Sequence, residues 1–332
     1  MDASVFVYER IDPTEASLKW LAEQGVTVEA GHSMFDHPPR RYGSEEFLKR
    51  ANEHAAVMGS SGQRFTRETL DQLPNLLFIA KCGIGVDNID LAAATERGIQ
   101  VTNTPIESDV EAVCEHAIGM MLGLLKQFRY WSPEFMRAGG WRGGLAWAEL
   151  LMGRTVGTIG MGRIGRGIAR RLGPWNVRAI AYDPRIGEAV KGVQMVDLAT
   201  LLAESDIVSV NAVATPDNRH LIDAKAIAQM KDGAILVNTA RGALVNLDDL
   251  AGALRDGKLA GAGLDVYEIE PPDPRHPLFT LPNVITTPHT AAWTKETLAD
   301  IGWSAARSVA QMVNGQRPEH LVNTDVLDQL KR

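Results

Sequence analysis

Short apolar runs rich in β-branched residues recur along the chain and alternate with longer stretches of mixed polar and apolar residues. Because these stretches are long enough for helices, the alternation predicts βαβ units and parallel sheets that are covered on both faces. The almost continuous apolar character of 234–237 is typical of a strand buried on both sides. The predicted strands cover residues 4–8, 26–28, 55–58, 76–80, 155–159, 178–182, 206–210, 234–237 and 284–287.

The predicted strands fall into two series. The first ends near Val101, and the second runs from about Thr155 to about His289. A helical pattern over 107–127 lies between the series, and another over 295–314 is long enough to return to the first. A chain of 332 residues is long enough for about two domains. We therefore expect an α/β fold with two doubly wound parallel-sheet domains.

Composition and charge narrow the possible partners. The chain is 45% hydrophobic and 23% charged, with a formal net charge of −7, as expected of a globular protein that does not bind nucleic acid or an anionic membrane. Its two cysteines, Cys82 and Cys114, cannot form a disulfide framework or a paired zinc motif, so we expect no metal. The N-terminus lacks a signal pattern, and no apolar run approaches the roughly 18 residues of a membrane span, which favours the cytoplasm.

A glycine-rich segment follows the predicted strand 155–159 and precedes a predicted helix over 166–172. Gly160 permits a tight turn, Gly162 lets the backbone approach a pyrophosphate, and Gly165 allows close helix–strand packing. The N-terminus of the helix offers free N–H groups to phosphates, and Arg163 can add a charged contact. This context predicts a dinucleotide-binding loop.

The next predicted strand ends at Tyr182, and Asp183 follows it. An acidic residue at this position accepts hydrogen bonds from ribose hydroxyls and repels a 2′-phosphate, so NAD is favoured over NADP, although the nearby Arg185 weakens that preference. We also predict cofactor contacts at Ala212, Thr239 and Ala240, which follow two other predicted strands.

Charged residues follow three further strand-like segments, where the crevice of an open parallel sheet binds ligands. Arg241 follows the strand 234–237 and can capture a carboxylate with two hydrogen bonds. Asp265 ends another strand and is expected at the nicotinamide end of the cofactor, while Glu270 precedes two prolines as a candidate partner for a base. His289 follows the strand 284–287. Glu268, between the two acids, is expected to be a solvated loop residue.

The chemistry of a 2-keto acid explains why these residue types belong together. Hydride transfer requires a fixed carboxylate, a polarised carbonyl and a proton for the new alkoxide. Arg241 can supply the first two, His289 can donate or remove the proton, and Glu270 can orient the imidazole. Because NAD carries the hydride, the protein needs only to orient and polarise the substrate.

These motifs resemble those of the D-isomer-specific 2-hydroxyacid dehydrogenases, and the resemblance covers nearly the whole chain. Further matching segments are KCGIGVDNID at 81–90, NTP at 103–105, VCEH at 113–116 and HLVN at 320–323. The resemblance implies a Rossmann-type NAD-binding domain, 105–290, inserted into a flavodoxin-like substrate domain formed by 1–104 and 291–332. It also implies a homodimer, often joined through the region before the glycine loop.

The resemblance also implies roles for individual residues. Arg241 would bind the substrate carboxylate together with backbone N–H groups at Ile84 and Gly85, and Glu270 and His289 would form the acid/base pair. The cofactor contacts that the resemblance implies are Arg163, Ile164, Asp183 and Asp265. The expected function is an NAD-dependent oxidoreductase that interconverts a small D-2-hydroxy acid and its 2-keto acid.

Other interpretations stay open at this stage. The loop after 55–58 lacks an early arginine for a substrate phosphate, which weakens 3-phosphoglycerate as the substrate, and Glu270 argues against formate, because formate dehydrogenases have Gln there. Asn211 begins a segment where relatives often have His-x-Pro, which puts the adenine-side contacts in doubt. An NAD-sensing corepressor with the same fold is the alternative from another class. The stretch 141–147, with Trp141, Leu145 and Trp147, suits either a substrate wall or dimer packing.

Overall fold

The computed structural model describes residues 3–60, 62–141, 147–186 and 190–329, so Leu145 lies outside the described residues. The chain divides into two compact units. The first consists of Met1–Asp109 and Trp293–Arg332, and the second is the intervening segment Val110–Ala292. The second unit is thus inserted into the first.

The first unit contains a five-stranded parallel sheet in the order β2-β1-β3-β4-β5, which is the flavodoxin-like order. Val5 and Val7 point to one face and Phe6 and Tyr8 to the other, and both faces are covered by buried apolar side chains. The strands are β1 (Ser4–Arg10), β2 (Thr27–Ser33), β3 (Ala56–Gly59), β4 (Phe78–Lys81) and β5 (Gln100–Thr102). The helices are α1 (Ala16–Glu23), α2 (Ser44–Ala51), α3 (Arg67–Asp71), α4 (Leu91–Glu96), α11 (Lys295–Val313) and α12 (Val326–Gln329).

The second unit contains a seven-stranded parallel sheet in the order β12-β11-β10-β9-β6-β7-β8, a Rossmann order extended by one strand. The strands are β6 (Thr155–Ile159), β7 (Arg178–Tyr182), β8 (Gln194–Met195), β9 (Ile207–Val210), β10 (Ala234–Asn238), β11 (Leu259–Leu264) and β12 (Val284–Thr286). The helices are α5 (Glu107–Leu125), which begins in the first unit, α6 (Pro133–Arg137), α7 (Arg163–Leu172), α8 (Leu198–Glu204), α9 (Ala224–Gln229) and α10 (Leu247–Arg255).

The predicted fold is confirmed, because both units are doubly wound parallel α/β sheets and one is inserted into the other. The predicted strands 155–159 and 178–182 agree with β6 and β7.

The predicted start of the helix after the glycine loop is wrong by three residues. Gly162 takes an extended conformation as the N-cap, so α7 begins at Arg163 rather than at Arg166. The short β8 gave no apolar signal because it contains only Gln194 and Met195.

Among the residues that the structure describes, no helix combines the length and the apolar character that crossing a bilayer requires.

Asn323 fastens the C-terminal segment to the first sheet. Its Oδ1 accepts a hydrogen bond from the Val101 N–H at 2.9 Å, and its Nδ2 donates to the Ile99 carbonyl and to the Thr95 hydroxyl. The side chain is buried. The asparagine therefore satisfies buried backbone groups of Val101 on β5 and of Ile99 just before it.

We expect Asn323→Ala to lower the free energy of unfolding by roughly 1–3 kcal/mol, because the Val101 N–H would be left buried and unpaired. Urea denaturation followed by circular dichroism measures this loss. Thr324→Ala is the matched control, since the neighbouring side chain is exposed. Equal stability of the two variants would contradict the anchoring role of Asn323.

Candidate active site

The sequence-predicted site residues of the second unit gather at the carboxyl ends of its strands. Gly160 follows β6, Asp183 follows β7, Thr239 follows β10, Asp265 follows β11 and His289 lies just beyond β12. Because the strands are parallel, all these ends lie at one edge of the sheet. This edge is where open α/β sheets bind ligands.

The glycine loop has the packing that its sequence predicts. Gly160 has φ of +92°, and a Cβ there would lie 2.7 Å from the Ala212 nitrogen. A Cβ at Gly165 would lie 2.2 Å from the Gly160 carbonyl oxygen. Any larger side chain at these two positions would force the loop, the helix and the strand apart. Gly162 differs, because a Cβ there would meet no atom within 4 Å.

The open space at Gly162 lies at the N-cap of α7, where the first N–H groups of the helix lack intrahelical partners. Within the described part of the chain, two buried oxygens at the same sheet edge, Asn211 Oδ1 and Thr239 Oγ1, also have no hydrogen-bond partner. Free space beside a helix N-terminus, with unsatisfied polar atoms nearby, is what a bound dinucleotide requires. These residues therefore fit NAD.

Asp183 is tied to the glycine loop. One carboxylate oxygen accepts a hydrogen bond from the Met161 N–H at 2.9 Å, and the other accepts one from the Arg185 N–H at 2.9 Å. Both contacts fix the acid beside the loop at the end of β7. Ala212 and Ala240 lie at the ends of β9 and β10, and Arg163 and Ile164 form the first turn of α7.

Arg241 sits on a turn shaped by the buried Asn238. The Asn238 side chain accepts from the Ala240 N–H at 3.0 Å and donates to the Arg241 carbonyl at 2.9 Å. The Arg241 guanidinium donates to the Ala240 carbonyl at 2.7 Å. The turn that follows the buried strand β10 is therefore held by side-chain hydrogen bonds on both of its ends.

Gly242 lets this turn touch the loop that carries Glu270. A Cβ at Gly242 would lie 1.9 Å from the Tyr267 carbonyl carbon and 2.2 Å from the Glu268 nitrogen. Glu268 is an exposed loop residue, as the sequence predicts, and its carboxylate also bonds to Arg219 at 2.8 Å and to His220 at 2.9 Å.

Glu270 and His289 form a hydrogen-bonded pair, with 2.7 Å between Glu270 Oε2 and His289 Nδ1. The other Glu270 oxygen accepts from the Tyr267 N–H at 3.0 Å. Burial tends to raise the pKa of Glu270, but the hydrogen bonds from His289 and Tyr267 and the charges of His289 and Arg241 outweigh it and lower that pKa. Gly242 places the Arg241 turn against the loop of Glu270, and the hydrogen bond that Glu270 accepts links that loop to His289.

Asp265 holds the loop on which His289 lies. Its side chain is fully buried, and its Oδ1 accepts from the Thr287 hydroxyl at 2.5 Å and from the Thr290 N–H at 2.7 Å. Oδ2 accepts from the Ala291 N–H at 3.0 Å, and the Asp265 carbonyl accepts from the His289 N–H at 2.7 Å. A contact between Asp265 and the nicotinamide stays a prediction.

His289 itself has φ of +57°, a left-handed conformation that is uncommon outside glycine. Such a conformation persists only where the surrounding structure imposes it. The hydrogen bonds from the loop to Asp265 on β11 provide that constraint.

Ile84 and Gly85 belong to the first unit and follow β4. Two hydrogen bonds hold their loop in place. The Gly83 N–H donates to the Thr104 hydroxyl at 2.8 Å, and Asn103 Nδ2 donates to the Ile84 carbonyl at 2.8 Å. Substrate binding by these backbone groups stays a prediction.

Several residues of the site were not singled out by the sequence. Thr287, Tyr267 and Gly242 shape the loops, and only their proximity in sequence to His289, Glu270 and Arg241 could have indicated them. In the described ranges, no group of three or more His, Cys, Asp and Glu side chains is arranged to hold a metal ion.

Comparison with known proteins identifies a family. The profile of the D-isomer specific 2-hydroxyacid dehydrogenase NAD binding domain matches residues 118–291. A D-3-phosphoglycerate dehydrogenase of Archaeoglobus fulgidus is 36% identical over 93% of this chain, which spans only 58% of that relative. A glyoxylate reductase of Thermofilum pendens is 36% identical over 89% of this chain and 88% of its own.

A solved structure agrees as well. The glyoxylate reductase from Paecilomyes thermophila matches with a TM-score of 0.84 and 32% identity, covering 97% of this chain and 98% of that one. The profile also confirms NAD as the predicted cofactor. Because the profile matches more than half of the chain and a relative 36% identical is covered over 88% of its length, the chain belongs to the D-isomer specific 2-hydroxyacid dehydrogenase family.

Proposed function

We propose that the protein is an NAD-dependent dehydrogenase that interconverts a small D-2-hydroxy acid and its 2-keto acid. The observation that carries this proposal is the Glu270–His289 pair beside Arg241, at the same sheet edge as the dinucleotide loop. An acid/base group, a fixed cation and a nicotinamide site are the three components that this reaction requires.

The second unit would hold the dinucleotide through the N–H groups at the start of α7 and through Asp183. Bound NAD supplies the hydride acceptor or donor. Gly162 leaves the space that a pyrophosphate needs, and Arg163 and Ile164 lie in the first helical turn. The remaining chemistry falls to the side chains at the neighbouring strand ends.

Arg241 would bind the substrate carboxylate and polarise the carbonyl. A guanidinium matches the geometry of a carboxylate with two parallel hydrogen bonds, whereas an ammonium does not. The backbone N–H groups of Ile84 and Gly85 would add further donors. Among the described residues, no hydrogen bond from either N–H to another protein group is present, while the flanking Gly83 N–H and Ile84 carbonyl are both bonded.

His289 would transfer the proton through Nε2. The lowered pKa of Glu270 keeps its carboxylate ionised at neutral pH, so Glu270 only accepts and His289 Nδ1 must donate. Neutral His289 therefore carries its proton on Nδ1 and presents a lone pair at Nε2, as a base for alcohol oxidation. The protonated form presents an N–H at Nε2, as an acid for carbonyl reduction.

The substrate is proposed to be a small unphosphorylated 2-keto acid such as glyoxylate. A relative named glyoxylate reductase is 36% identical over 89% of this chain, and one named hydroxypyruvate reductase is 39% identical over 78% of it. The loop after β3 also lacks an arginine at its first positions, where a substrate phosphate would need one.

The proposal is tested by following NADH oxidation with glyoxylate, hydroxypyruvate, pyruvate, bulkier 2-keto acids and phosphohydroxypyruvate. We expect turnover with at least one unphosphorylated acid. His289→Ala should lower kcat by about 100-fold or more, because general acid–base catalysis contributes roughly 10²–10⁴. Glu268→Gln is the matched control, since this nearby acid pairs with Arg219 and His220 instead.

Two outcomes would contradict the proposal. Wild-type protein that binds NADH but turns over no 2-keto acid would refute the dehydrogenase activity. A His289→Ala variant with kcat within a few-fold of the wild type would refute the acid/base assignment and leave the activity itself intact.

Asp183 is proposed to select NAD over NADP. Its ionised carboxylate would repel a 2′-phosphate and accept from the ribose hydroxyls. Asp183→Ser should weaken NADH binding by about tenfold and strengthen NADPH binding, with each tenfold change equal to about 1.4 kcal/mol. Quenching of tryptophan fluorescence measures both dissociation constants. Unchanged relative affinities would show that Asp183 does not select the cofactor.

We further propose that the protein is a homodimer joined through the segment between α5 and β6. Most of the exposed large apolar side chains of the described residues lie there, among them Phe128 at 65%, Trp147 at 82% and Leu150 at 62% exposure. Many exposed large apolar side chains gathered in one segment of the chain favour an interface. A second copy of the chain is the occupant that the family resemblance supports.

Sedimentation equilibrium tests the dimer. The wild type should sediment at twice the 36.1 kDa chain mass at micromolar concentration. Trp147→Glu should shift the equilibrium toward the monomer, because a charge cannot be buried unpaired in an apolar interface. Trp175→Glu is the control, since this exposed tryptophan lies outside the segment. A monomeric wild type would refute the proposal.

Finally, we propose a cytoplasmic location. Both cysteines, Cys82 and Cys114, are reduced and buried in the fold. Free thiols are the usual state of cysteine in reducing compartments.

A further inference from the structure

A chain of three polar side chains joins helix α5 to the loop that carries His289. His116 lies on α5, and its Nε2 is 3.0 Å from the Thr287 hydroxyl oxygen. That hydroxyl bonds in turn to Asp265 Oδ1 at 2.5 Å, and His116 Nε2 lies 3.9 Å from the same carboxylate oxygen. The three residues belong to the second unit, and Asp265 is fully buried.

The protons that these groups carry determine which atom donates in each hydrogen bond. The Asp265 carboxylate can only accept, so the single hydroxyl proton of Thr287 is donated to it. The Thr287 oxygen is then only an acceptor toward His116. His116 Nε2 must therefore carry a proton, which makes neutral His116 the Nε2–H tautomer. The neutral form of His289 is the opposite, because its Nδ1 donates to Glu270.

We propose that His116 is a positioning residue for the acid/base His289. The proposal rests on the proposed dehydrogenase function. Thr287 precedes His289 by two residues, and the same Asp265 carboxylate accepts from the Thr290 and Ala291 N–H groups just beyond it. The hydrogen bond from His116 fixes the hydroxyl that binds this carboxylate, and so holds the left-handed backbone of His289 in place.

The consequence for catalysis is a loss in kcat rather than in cofactor binding. A shift of the His289 loop misplaces Nε2 relative to the reacting oxygen, and small misplacements near reacting atoms are costly. The glycine loop and Asp183 lie on other strand ends, β6 and β7, and do not depend on this chain of hydrogen bonds.

Four single variants test the proposal. His116→Leu removes the hydrogen bond to Thr287, and Thr287→Val removes the one to the Asp265 carboxylate. Each should lower kcat by about tenfold or more, because a displaced His289 loop misplaces Nε2. His116→Gln keeps an Nε2 donor and Thr287→Ser keeps the hydroxyl, so each should recover most of that loss. The KM for NADH and the fluorescence-measured Kd of NADH should change less than about threefold in all four.

A double variant tests whether His116 and Thr287 act in one network, and a matched control tests whether any change on α5 lowers kcat. Once Thr287→Val has removed the acceptor, adding His116→Leu should lower kcat by less than about threefold more, because members of one network are not additive. Glu115→Gln, an exposed neighbour on α5, should leave kcat unchanged. Fully additive losses, or a His116→Gln variant as impaired as His116→Leu, would overturn the proposal.

A further measurement on the wild-type protein does not depend on turnover. Long-range ¹H–¹⁵N correlation spectra of histidine-labelled protein at pH 8 report which ring nitrogen carries the proton, and His116→Gln assigns the signal. We expect a protonated Nε2 in His116. A bare Nε2 would overturn the proposed hydrogen-bond chain. Because this readout does not depend on activity, its failure is distinct from a failure of the proposed function.

Discussion

The buried carboxylate of Asp265 is the interaction on which the catalytic loop depends. It accepts hydrogen bonds from the Thr287 hydroxyl and from the Thr290 and Ala291 N–H groups, so one side chain at the end of β11 binds both sides of His289 on the loop after β12. A fully buried carboxylate is tolerable only when such donors surround it. The loop and the acid therefore require each other, and the uncommon left-handed conformation of His289 follows from that mutual constraint.

The parallel sheet explains how residues far apart in sequence reach one place. Five of the seven strands of the second unit each deliver one functional segment to the same edge: the glycine loop, Asp183, Arg241, Asp265 and His289. Contacts between neighbouring loops then set the fine geometry. The absence of a side chain at Gly242 brings the Arg241 turn against the Tyr267 and Glu268 backbone, close enough for the charge of Arg241 to influence the carboxyl group of Glu270.

The sequence predicted the local features well. Apolar runs, glycine spacing and charged residues after strands can each be recognised within a short stretch of consecutive residues. Strand β6, the loop at Gly160 and the partnership of Glu270 with His289 are of this kind. It did not predict contacts formed by distant segments. His116 and Thr287 are 171 residues apart, and nothing in either segment indicates the other. The start of α7 was missed because Gly162 reads as a loop residue, although its extended backbone serves as the helix N-cap.

A crystal structure with NADH and oxamate, an unreactive analogue of a 2-keto acid, tests the proposed chemistry most directly. We expect His289 Nε2 within about 2.6–3.2 Å of the oxamate carbonyl oxygen, with Nδ1 still bonded to Glu270, and the oxamate carboxylate bound by Arg241. Oxamate bound out of reach of His289, or an imidazole turned away from Glu270 in the complex, would contradict it.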